Sequence, residues 1–265
     1  MAAASRGSNG SAACSGAGNV IEHVVCPRQA LSVGRRLGQT WYFAAKRVLD
    51  VVIVLISALF IVPILIVIGL AIKIDSPGPI FFTQERIRSR RRKIDGEWRW
   101  EFEPFTFYKL RTMQPSTDVT LHRDYIAAYI ASDEKAMAEL RHGADDIGTY
   151  KLTSDPRVTR FGRLLRKTSL DEIPQVWNVL KGDMSLVGPR PPIRYEFELY
   201  EEYQSQRLAS VPGITGWWQV NGRAETSFEE MVQLDIEYIN RQSVRFDLKI
   251  LFLTIPAVIS RRGAG

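Results

Sequence analysis

The stretch "TSLDEIPQVW", residues 168–177, sets two carboxylates side by side, Asp171 and Glu172. A plain structural reading is available. Ser169 and Glu172 fit the S-x-x-E capping box, in which each side chain satisfies the other's backbone donor. Pro174 is tolerated in a first helical turn, and Ile173, Val176, Trp177 and Leu180 mark an apolar face that Gly182 ends. The cap accounts for Glu172 and leaves Asp171 over. A helix start also favours carboxylates and bound phosphate, so the same turn could serve chemistry.

Shortly downstream, "GPRP" holds Arg190 between Pro189 and Pro191, which fix its backbone and lower the entropic cost of presenting a guanidinium. Further cations stand at Lys109, Arg111, Arg166 and Arg223. Carboxylates, a rigid Arg and spare cations are the parts needed to handle a diphosphate with a divalent metal. Each cation taken singly reads equally well as a solvated surface charge. Histidine chemistry is poorly supported: His23, His122 and His142 show no metal-ligand spacing. Cys14 and Cys26 both fall in the N-terminal tail and are too few for a disulfide framework or a zinc site. Lys and Arg exceed Asp and Glu by 35 to 29, so the partner is anionic: nucleic acid, a phospholipid surface or a phosphorylated substrate.

The elements that must carry these residues begin with a membrane segment. Val51 to Ile72 contains no charged residue, and about 20 apolar residues suffice to enter or cross a bilayer core. Pro63 lies near its middle, where it removes a backbone hydrogen bond. Basic residues flank both ends: Arg35, Arg36, Lys46 and Arg47 before, Lys73 and the run "RIRSRRRK" (86–93) after. Basic flanks favour the cytoplasmic side, so a hairpin that enters and returns on one face, broken at Pro63, satisfies both. The run at 86–93 would then lie against anionic headgroups. A simple spanning helix is the alternative.

The first 40 residues, rich in Ala, Gly and Ser, read as a mobile tail without a cleaved signal peptide. From residue 75 onward the chain reads as one cytosolic domain. "DSPGPIFFTQERI" and "FEPFTFYKLRTM" are strands, residues 120–141 an Ala-rich helix stopped at Gly143, and "MSLVGPRPP" a short strand entering a rigid loop. "FELYEEYQSQRLASV" and "SFEEMVQLDIEYINRQ" are amphipathic helices, and "RFDLKILFLTIPAVISRR" suits an interfacial one.

Several ordered blocks match a known pattern: "KRVLDVVIVL", "GPIFFTQERI", "FYKLRTM", "DPRVTRFGRLLRKTSLDEIPQVWNVLKGDMSLVGPRP", "PGITGWWQVNGR" and "LDIEYI". From about residue 44 to the C-terminus the chain resembles the bacterial monotopic phosphoglycosyltransferases, or bacterial sugar transferases. The resemblance implies an α+β, mainly helical, monotopic membrane protein. Its re-entrant helix–break–helix would cover 41–74. The catalytic domain, with a small sheet and interfacial helices, would cover 75–265 on the cytoplasmic face of the inner membrane. It implies transfer of a phospho-sugar from a UDP-sugar to undecaprenyl phosphate, with Mg²⁺, at the start of exopolysaccharide or related glycan synthesis. Carried over, Asp171 is the nucleophile and Glu172 its partner at the metal. Lys109, Arg111, Arg190, Arg223 and Asp235 become phosphate, nucleotide or metal support. A carboxylate nucleophile would form an acyl-phosphate and divide one displacement into two.

The chain departs from the pattern at Val62, where many members place Ser before the membrane proline, and in a longer segment at 114–150. That insert could be a lid, a homodimer contact or scaffolding. The ending "TIPAVISRRG" resembles exopolysaccharide-type members, which implies galactose or glucose. Inner-membrane lipids are the expected surroundings and nucleic acid is not an expected partner. A different class of reading is a non-enzymatic, membrane-anchored partner of a glycan assembly complex. A soluble-type nucleotide-binding enzyme on an anchor is a third, without a P-loop or GxGxxG fingerprint to support it.

Overall fold

The computed structural model describes residues 39–114, 120–140, 157–221 and 226–259. Residues 1–38 of the tail expected over 1–40, the stop at Gly143 and Arg223 lie outside this set.

The first element is helix α1, Thr40–Asp75, about 54 Å long if straight at 1.5 Å per residue. Among the described residues it is the one helix long and apolar enough to cross a membrane. Pro63 lies inside it, and the helix continues through. The expected break at Pro63 does not interrupt the helical backbone: proline bends a helix by losing one hydrogen bond, and helix-compatible apolar neighbours on both sides let it resume. Its two shoulders pack on the rest of the chain. Val54 meets Phe105, Phe107, Val179 and Met184, while Ile68 and Ile72 meet Leu110 and Leu165. Between them Leu59 is 75% exposed and Phe60 67%.

Both ends of α1 are held by charge. Lys46 Nζ lies 2.9 Å from Asp247, which also accepts hydrogen bonds from Tyr42 and Tyr238. At the other end the Arg111 guanidinium donates to the carbonyls of Ser76 and Pro77, each at 2.6 Å, where a helix C-terminus favours a cation. Gly78 (φ +123°) makes room, since a Cβ there would stand 2.0 Å from the guanidinium.

Strands β1 (Phe81–Ile94) and β2 (Glu97–Leu110) form a long antiparallel hairpin. Asp95 and Gly96 both take positive φ, as a two-residue turn matching strand twist requires. The basic run at 86–93 is thus a strand. Two of its cations meet acids: Arg88 reaches Glu103 of β2 at 2.9 Å and Asp183, beyond the hairpin, at 2.5 Å, and Arg92 reaches Glu101 at 2.8 Å. Arg91 lies over the rings of Phe43 and Trp98.

The single helix expected over 120–141 is two, α2 (Thr120–Ile130) and α3 (Glu134–Leu140). Ser132 turns left-handed between them, and Asp133 accepts the Ala136 N–H to start the second. Helices α4 (Arg160–Thr168) and α5 (Gln175–Lys181) follow, then β3 (Ser185–Val187), which pairs in parallel with β4 (Gly213–Thr215). Between these strands the expected amphipathic helix is split into α6 (Arg194–Glu198) and α7 (Glu202–Ser205), because Gln204 accepts the Glu201 N–H and restarts the helix there. Helix α8 (Trp217–Asn221) precedes α9 (Phe228–Arg241), which opens on a reciprocal Ser227–Glu230 cap. Helix α10 (Val244–Ile259) buries Phe246 and Ile250 and exposes Leu248, Phe252, Ile255 and Val258.

Candidate active site

Helix α4 starts at Thr159, whose Oγ1 accepts the Gly162 N–H. It ends at Ser169, which is left-handed (φ 56°) and returns its N–H to Arg166. Residues Leu170–Glu172 then make one tight 3₁₀ turn before Pro174 and α5. The expected capping box is therefore not formed. Ser169 closes the preceding helix instead of opening the next, and the Glu172 carboxylate faces two cations. The delayed start of α5 also rotates its buried face to Gln175, Asn178 and Val179, leaving Trp177 exposed. Gly182 ends the helix left-handed, as its sequence position implies.

Lys109, at the end of β2, places Nζ 2.8 Å from Glu172 Oε1 and 3.5 Å from Asp171 Oδ2. Arg190 brings both terminal nitrogens to the same Glu172 oxygen, at 3.2 and 3.1 Å. Glu172 is thus clamped from two directions, whereas Asp171 has one long contact to a cation. The four side chains are 9–18% exposed, shielded enough to strengthen their attraction yet open enough to meet a ligand.

Each member is braced. The loop carrying Arg190 is pinned to β4: Gly188 N–H donates to Thr215 and Gly213 N–H to Pro189. A Cβ on Gly188 would stand 2.2 Å from the Val211 carbonyl, so only glycine permits this approach. Lys109 depends on Asn178, which sequence reasoning missed. Its Oδ1 accepts the Tyr108 N–H at 3.2 Å and its Nδ2 donates to the Thr106 carbonyl at 2.7 Å. One buried amide replaces a neighbouring strand along this edge of β2 and ties it to α5. The sequence signal was only a polar residue inside an apolar helical stripe.

Two other expected site residues lie elsewhere. Arg111 caps α1, as described above. Asp235 is fully buried on α9, with Oδ2 at 2.9 and 2.8 Å from Arg207 nitrogens. Burial pushes its carboxyl up to about 6 despite Arg207, and Oδ1 is buried without a hydrogen-bond partner. Arg166 donates to Thr112 Oγ1.

Among the described residues no group of three or more His, Cys, Asp or Glu side chains could alone hold a metal. Asp171 and Glu172 offer two hard oxygen donors, a set that fits Mg²⁺ when water and a substrate diphosphate supply the rest.

Known proteins share this arrangement of sequence. The profile of the bacterial sugar transferases matches residues 41–261, and the chain belongs to that family. It is 39% identical over 224 residues to the galactosyl transferase CpsE of Streptococcus agalactiae serotype III, covering 84% of this chain and 44% of the relative. It is 36% identical over 220 residues to the exopolysaccharide production protein ExoY of Sinorhizobium fredii, covering 83% and 88%. To the UDP-glucose:undecaprenyl-phosphate glucose-1-phosphate transferase of Escherichia coli it is 39% identical over 218 residues, covering 79% and 39%. The chain thus spans less than half of the first and third of these relatives.

Proposed function

We propose that this protein transfers a hexose 1-phosphate, of galactose or glucose, from a UDP-sugar to undecaprenyl phosphate, releasing UMP. The observation that carries the reading is the unequal treatment of the two carboxylates: Glu172 is held by Lys109 and Arg190, while Asp171 keeps its oxygens largely uncommitted. The names of the relatives support the donor, the acceptor and an exopolysaccharide product.

In this reading an Asp171 oxygen attacks the phosphorus that bears the sugar. A new carboxylate O–P bond forms, the P–O bond to the nucleotide breaks, and UMP leaves with the electron pair. An oxygen of undecaprenyl phosphate then attacks the same phosphorus and returns Asp171 as a free carboxylate. Lys109 and Arg190 orient Glu172 and offset charge on the phosphates. Mg²⁺, when bound at Asp171 and Glu172, supplies further neutralisation of that charge.

Helix α1 supports a membrane-inserted, re-entrant course. Ten of its large apolar side chains between Val52 and Leu70 are exposed, and removing them from water is worth on the order of 10 kcal/mol. Both shoulders rest on the same body of the protein, consistent with entry and exit on the cytoplasmic face of the inner membrane. Such a seat brings a lipid phosphate and a soluble nucleotide sugar to one place.

The test is incubation with radiolabelled UDP-hexose in the absence of lipid acceptor. Stoichiometric UMP release with label retained on the protein, lost in Asp171→Asn, is expected. Release that strictly requires undecaprenyl phosphate, with no labelled protein, would replace the two-step route by direct attack.

A further inference from the structure

Arg88 and Arg92 of the basic run at 86–93 meet Glu101, Glu103 and Asp183, whereas three cations that share one face of α4 meet no acid among the described residues. Arg160, Arg163 and Lys167 are exposed, and none of them forms an ion pair among the described residues. They lie at i, i+3 and i+7 of α4, a single stripe of the helix, with exposed Leu164 beside them.

The rotation of α4 that presents this stripe is fixed from the other side. A Cβ on Gly162 would stand 2.1 Å from the Thr112 carbonyl, so the helix rests directly on that backbone. Thr159 N–H donates to the same carbonyl and Arg166 to the Thr112 hydroxyl. Leu165 and Phe161 pack with Ile68, Ile72 and Leu65 of α1. Helix α4 therefore lies along the shoulder where the apolar segment leaves the bilayer, its cations turned outward, and it ends at the turn bearing Asp171 and Glu172.

We propose that this stripe binds the phosphates of anionic phospholipids in the bilayer that receives α1, and so sets the depth of the catalytic turn. The proposal rests on the membrane reading given above. The occupant follows from charge and geometry: three unneutralised cations spaced along one line suit a plane of phosphates, and Leu164 among them suits the boundary with the acyl chains. Long Arg and Lys stems let the charges remain at headgroup level while Leu164 enters below them.

The experiment uses the full chain with Cys14 and Cys26 changed to Ser and an environment-sensitive fluorophore on Leu164→Cys, in nanodiscs of phosphatidylcholine alone or with 30% phosphatidylglycerol. The nitroxide quencher sits just below the headgroups. Quenching about twofold stronger in the anionic discs is expected, falling to the neutral-disc value at high salt. Arg160→Gln, Arg163→Gln and Lys167→Gln combined should erase the difference, while Arg160→Lys with Arg163→Lys should keep it. Equal quenching of the parent in both discs, or a phosphatidylglycerol response that survives the triple change, would overturn the proposal. Failure of the chain to enter either disc would overturn the membrane reading, and this proposal with it.

Discussion

Two ionic groups of similar composition sit in this protein at different depths. In one, Lys109 and Arg190 converge on Glu172, with Asp171 at the edge, and all four side chains retain some exposure. In the other, Arg207 holds Asp235 at 2.8 Å, donates to the Tyr200 hydroxyl at 2.6 Å and lies 3.7 Å from Glu196, with Asp235 and Glu196 carboxyls 0–1% exposed. The first group leaves a carboxylate available to a substrate. The second is closed on itself, and its members lie inside the packing of α6 and α9. Charge type alone does not separate a reactive group from an internal tie; access does.

The largest expected effect sharpens this division from the open side. Asp171→Asn should lower sugar-phosphate transfer on the order of 10⁴-fold or more while leaving the thermal midpoint in detergent near that of the parent. Substantial turnover in that variant would remove Asp171 from the nucleophile's role. From the closed side, Arg207→Ala should cost about 3–5 kcal/mol of stability, because it strands Asp235 in the interior. A midpoint unchanged within error would mean that water reaches this group.

Titration gives a second contrast. Asp235 has its folded value raised to about 6, above its unfolded range near 3.8. The folded state therefore binds more protons between these values, so this group's contribution is fully present at low pH and is lost as pH rises through about 6. The loss is at most about 3 kcal/mol, and Asp235→Asn should flatten it in unfolding curves recorded from pH 4 to 7. A parent curve whose fall over this window is the same in Asp235→Asn would assign the pH dependence elsewhere.

Arg190→Ala should reduce turnover about 10²-fold with little change in stability, by loosening one of two grips on Glu172. A stability loss comparable to that of Arg207→Ala would make the two groups alike after all. Smallest is Asn178→Ala, which leaves the Tyr108 N–H and Thr106 carbonyl without their partner and should cost about 1–3 kcal/mol. Its transfer activity should fall further than its folded fraction, since β2 carries Lys109.

Adjacent carboxylates, an arginine between prolines and an uncharged apolar run can be read without coordinates, because each is a local arrangement in the chain. So can Gly182, whose left-handed stop depends on its own backbone. The amphipathic stripe of α9 is similarly local, including its Ser227–Glu230 cap. The same cap pattern at Ser169–Glu172 did not form, since α4 claims Ser169 as its last residue and two distant cations claim Glu172.

Long-range partners decided the rest. Lys109 and Arg190 stand 63 and 18 residues from Glu172, and only folding brings them to one oxygen. Arg111 carries the charge that suits a phosphate and Asp235 the charge that suits a metal, yet one is consumed by the end of α1 and the other by Arg207. Arg88 and Arg92 of the basic run at 86–93 found acids across the hairpin, while the less conspicuous cations of α4 were left facing outward. Sequence determined which charges and apolar segments were present. Tertiary structure determined which charges were already neutralised, because electrostatic pairing depends on distance and burial rather than on position along the chain.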